Sequence, residues 1–77
     1  MTNYDIVGDW RIRINGMEHG APHVHVIFRD GSRVSVAIET GEVLVGGVQP
    51  LKRLVAALAD IRANKAKYLD EYRRLNP

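Results

Sequence analysis

The chain has 77 residues, a net charge of only +2 and no cysteine. That length makes one domain over residues 1–77, able to bury only about 60% of its extended surface. Disulfides, cysteine zinc sites and thiol catalysis are excluded. No apolar run approaches the ~20 residues of a membrane span, and no basic-then-hydrophobic leader opens the chain, so no membrane contact and a cytoplasmic setting are expected.

Taken in chain order, four stretches alternate apolar and polar residues with the period of two that gives a strand one buried and one wetter face. In the first, Trp10, Ile12 and Ile14 oppose Arg11 and Arg13. An eight-residue loop from Asn15 to Pro22 then carries His19 to the mouth of the second stretch. There, Val24, Val26 and Phe28 oppose His23, His25, Ile27 and Arg29. The turn residues Asp30-Gly31-Ser32 lead to a third stretch, Val34, Val36 and Ile38 against Arg33, Ser35 and Ala37. Glu39-Thr40-Gly41-Glu42 supplies the next turn, and Val43 and Val45 make a shorter fourth repeat.

Gly46-Gly47 ends the sheet region, and Pro50 suits the first position of a helix. Leu51, Leu54, Val55, Leu58, Ile61, Tyr68, Leu69, Tyr72 and Leu75 then recur at helical spacing. Lys65 interrupts this stripe, which predicts a bend or a two-helix split near Ala63-Asn64. The expected fold is therefore α+β: a four-stranded antiparallel meander covered on one face by a C-terminal helix.

All three histidines fall between positions 19 and 25. If the strands pair as neighbours, the helix-free face collects Arg11, Arg13, His23, His25, Arg29, Arg33 and Ser35, with Glu39 and Glu42 as the only flanking carboxylates, at the far turn. Arginines so gathered offer bidentate recognition of phosphate and attract polyanions while the whole protein stays nearly neutral. The plainer alternative is that they simply solvate the open face of a small sheet.

The histidines admit three readings. A His-x-His pair joined by His19 has the ligand types of a three-imidazole metal site, but the arginines make the field positive and no carboxylate offers outer-shell support. His23 and His25 could instead exchange a proton with a ribose 2′-hydroxyl while an arginine stabilises phosphorane charge, which needs no metal. In the third reading they are structural or binding residues only. No metal or other cofactor is expected.

The run Glu18-His19-Gly20-Ala21-Pro22-His23-Val24-His25-Val26 resembles the histidine signature of small bacterial proteins of domain of unknown function 4160. The resemblance continues through Ile38 to Gly47 and into the helical end at Asn64, Leu69 and Tyr72. Ala21 stands where that signature has a proline, and Tyr72 where tryptophan is usual. The family carries no established activity, and its members often occur in two-gene toxin–antitoxin-type operons. The resemblance therefore implies a partnership with RNA or with a cognate small protein of the same operon. The layout is also similar, more distantly and at fold level only, to HicA-type messenger-RNA interferases.

The leading expectation is a protein of a toxin–antitoxin-like system whose His/Arg sheet face binds RNA or another anion through Arg11, Arg13, Arg29 and Arg33. Were it an enzyme, it would be a metal-independent endoribonuclease, with His23 and His25 exchanging the proton and His19 completing the pocket. The alternatives are a non-catalytic module that binds its partner protein, and a histidine-based metal-binding protein.

Overall fold

A computed structural model describes all 77 residues. Strands β1 (Thr2–Asn3), β2 (Trp10–Ile14), β3 (His23–Phe28), β4 (Arg33–Ala37) and β5 (Val43–Gly46) form one antiparallel meander in sequence order. A 3-10 turn at Leu51–Leu54 leads into helices α1 (Val55–Ala63) and α2 (Lys65–Leu75). The sheet thus has five strands rather than the expected four. The additional strand, β1, pairs Thr2 with Ile14 and Asn3 with Arg13, and two residues are too few to show alternation in sequence.

The alternation of the three longer strands sorts their faces as expected. Trp10, Ile12 and Ile14 join Val24, Val26, Phe28, Val34, Val36 and Ile38 in a core closed by Leu54, Ala57, Ile61, Tyr68 and Tyr72. The ladder sets Ile12 opposite Val26 and Val26 opposite Val34, so apolar side chains stack across three strands.

β5 behaves differently. Val43, Leu44 and Val45 are all exposed, so the fourth repeat forms a strand without contributing to the core. The helices pack over β2 and β3, leaving β5 as an uncovered edge, and a register shift at Ser35/Val36 displaces it further. Val48, just beyond the strand, is buried instead. Gly46 at the end of β5 has φ +86°, and a Cβ there would overlap the Arg33 carbonyl oxygen, so both backbone conformation and space call for glycine.

The helical segment splits at Asn64, as Lys65 led us to expect. The Asn64 side chain donates to the Asp60 carbonyl and carboxylate, both at 3.0 Å, and the Tyr68 hydroxyl donates to the same carboxylate at 2.5 Å. Leu51 and Val55 of the expected stripe are exposed. Pro50 introduces a 3-10 turn rather than an α-helix, and Val55 sits about 100° around from Leu54 on the following turn. Arg53 fastens this turn to the sheet: its guanidinium meets the Asp9 and Asp30 carboxylates at 2.8 and 2.9 Å and lies over the Phe28 ring.

Candidate functional site

β3 projects His23 and His25 from the face opposite Val24 and Val26. Across the ladder, His25 lies between Arg13 on β2 and Ser35 on β4, while His23 lies beside Ala37. The two imidazole rings meet edge to face with centroids 5.2 Å apart, and His23 also contacts the Tyr72 ring at 5.6 Å. Both side chains are mostly buried, at 11% and 12% exposure.

What closes the site is Glu18 rather than His19. One carboxylate oxygen, Oε1, accepts a hydrogen bond from His25 Nε2 at 2.9 Å and lies 3.6 Å from His23 Nε2. His19 is exposed at the rim of a shallow cavity of about 440 Å³ that also borders His23, His25, Ser35, Leu44 and Val45. The expectation that no carboxylate stands near the histidines is therefore corrected. The reason lies in the loop, which returns Glu18 over the start of β3, where strand periodicity does not reach.

That loop is held by the far end of the chain. Asn76 accepts the Glu18 N–H at 2.7 Å, and its amide donates to the Asn15 and Tyr72 carbonyls at 3.0 and 2.9 Å. Asn15 in turn donates to Glu18 Oε1 at 3.3 Å. The His25 hydrogen bond, working against burial, keeps the Glu18 carboxyl below its ordinary range, with smaller help from Asn15 and from the nearby imidazoles.

The remaining imidazole nitrogens are also fixed. His23 Nδ1 lies 2.9 Å from the Ala21 carbonyl, which can only accept, so the neutral ring carries its proton there. His25 Nδ1 lies 3.2 Å from Ser35 Oγ. With Glu18 accepting from Nε2, a singly protonated His25 ring accepts from the serine hydroxyl at Nδ1.

The arginines occupy the adjoining part of the same face. Arg11 and Arg33 flank Ile27 across three strands, and Arg13 neighbours His25. Arg11, Arg13 and Arg29 line a second cavity of about 410 Å³ with Asn3 and Asp9. None of Arg11, Arg13, Arg29 and Arg33 forms an ion pair, whereas Arg53 and Arg74 do. Arg29 donates to the Gly8 carbonyl at 2.7 Å and Arg13 to the Met1 sulfur. Asp9, the carboxylate in this cavity, is already engaged by Arg53.

Fold and site together define a small α+β protein: an antiparallel meander with two C-terminal helices on one face and a His/Glu cluster beside unpaired arginines on the other. The chain belongs to the family described as Domain of unknown function (DUF4160), which matches residues 9–73 of the 77. No curated relative and no solved structure matches it.

Proposed function

We propose that the helix-free sheet face binds RNA through its phosphates, as the RNA-contacting member of a two-protein, toxin–antitoxin-like system in the cytoplasm. The observation carrying this reading is the set of four arginines without a carboxylate partner on one face of the sheet. Arg13 and Arg29 bond Met1 and Gly8, whereas Arg11 and Arg33 keep their planar forks available for phosphate oxygens. Ile27, between Arg11 and Arg33 in the ladder, gives that row an apolar floor against which a ribose or base can rest. The reading commits to binding. Cleavage would require His23 and His25 to trade a proton with the substrate, and Glu18 already occupies the inward nitrogen of His25.

A second reading, a cognate protein partner, is favoured by β5. Its outer edge is unpaired, and it exposes Val43, Leu44 and Val45, a surface suited to strand addition. The two readings separate on Arg11→Ala/Arg33→Ala. RNA retention by the wild type at low salt that is lost in the double variant supports the first. No RNA retention, together with retention of a partner protein that survives the double variant, supports the second.

A further inference from the structure

We infer that Glu18, His23 and His25 form a binding site for one divalent transition-metal ion of the zinc type, with an open coordination position facing the adjoining cavity. This goes beyond the RNA reading and stands without it.

One ligand atom from each of the three residues lies within 4.8 Å of the others. Ligands about 2.1 Å from a common tetrahedral ion are about 3.4 Å apart, and Glu18 Oε1 stands 2.9 and 3.6 Å from the two Nε2 atoms. The two carboxylate–imidazole separations thus bracket the value an ion requires, and the full set lies within 4.8 Å.

The hydrogen-bond pattern supplies the chemical argument. Because the Ala21 carbonyl accepts from His23 Nδ1, Nε2 is the ring nitrogen left to ligate, and it stands 3.6 Å from Glu18 Oε1. An ion placed between these two atoms would be ligated by both. His25 needs only a tautomer exchange. On releasing its Nε2 proton to ligate, it carries the proton on Nδ1, where Ser35 Oγ can accept it. Both histidines then present Nε2 to the metal and Nδ1–H to an oxygen, the outer-shell arrangement that orients imidazole ligands in metal sites.

Two imidazoles and one carboxylate suit zinc, nickel or ferrous iron better than magnesium or calcium. The Glu18 charge offsets that of Arg13, which pairs with His25 in the ladder and whose guanidinium is turned to the Met1 sulfur. Leu44 and Val45 border the open side, where a water or a substrate oxygen would complete the coordination.

The test uses the tag-free full chain titrated with Zn²⁺ alone by calorimetry and with Co²⁺ by visible absorption. Proton–nitrogen spectra of the imidazole rings identify the ligating nitrogens. One equivalent should bind with submicromolar affinity. His23→Gln and His25→Gln should each weaken it by 100-fold or more, Glu18→Gln by at least 10-fold, and Ser35→Ala by about 10-fold. His19→Ala and Arg11→Ala/Arg33→Ala should leave it unchanged. If a histidine variant fails to fold, Glu18→Gln and the ring spectra of the wild type decide. No saturable Zn²⁺ binding overturns the site, as does an affinity that survives Glu18→Gln or that depends on His19.

Discussion

Asn76 holds the backbone amide of Glu18 at 2.7 Å, joining the end of the chain to the loop that carries the site's carboxylate. The same side chain donates to Asn15 in that loop and to Tyr72 in α2, so the carboxylate and the last helix are positioned together. Tyr72 also lies against the His23 ring. The far end of the sequence thus sets the geometry of a motif near its start.

Replacing Asn76 with alanine should release this loop. Three hydrogen bonds are lost, and a destabilisation of about 1–3 kcal/mol is expected in urea unfolding. Amide chemical shifts of Glu18 and His25 should move more than those of β4 residues distant from the loop. Unchanged shifts at Glu18 would contradict the clamp.

In the core, Val26→Ala should cost on the order of 1–3 kcal/mol, because Val26 is fully buried between Ile12 and Val34. Val45→Ala should cost far less, since Val45 is 69% exposed on an uncovered edge. Equal losses in the two variants would mean that β5 packs against something in solution.

Acid should weaken the fold in a defined window. Glu18 is held below its ordinary value of 4.5, chiefly by His25. Asp30 is held at about 2, first by the Ser32 amide and then by Arg53, and Glu71 at about 2, first by Arg74 and then by Thr2. A carboxyl depressed by folding stabilises above its unfolded pKa, and that contribution is lost as pH falls through the folded value. The urea midpoint should therefore decline from about pH 4.5 down to about pH 2. Glu18→Gln should be less stable than wild type at pH 7, with the difference narrowing in acid. A midpoint flat between pH 5 and pH 2 would contradict these contacts.

Much of this fold is legible in the sequence because the core residues of three strands recur at every second position and one helical stripe breaks at Lys65. β1 is too short to leave a periodic trace, and the exposure of Val43 and Val45 depends on where the helices lie, which alternation does not encode. In the site, His23, His25 and Ser35 follow from strand register. Glu18 does not, since a loop residue's direction is set by contacts such as Asn76, 58 positions away. The residue was nonetheless visible as the first position of the histidine signature, and it is the only carboxylate within that run.

Phosphate recognition by the arginine face is tested most directly by the salt dependence of RNA binding, followed by fluorescence anisotropy with a labelled single-stranded RNA. Each neutralised phosphate of a single strand contributes about 0.7 to the slope of log affinity against log salt. Binding should be measurable at low salt and weaken with a slope of about 2–3 when four arginines engage phosphate. Arg11→Ala and Arg33→Ala should each lower that slope by about 0.7, alike for different RNA sequences. Absence of binding in low salt, or a slope unchanged in both variants, would contradict phosphate recognition by this face.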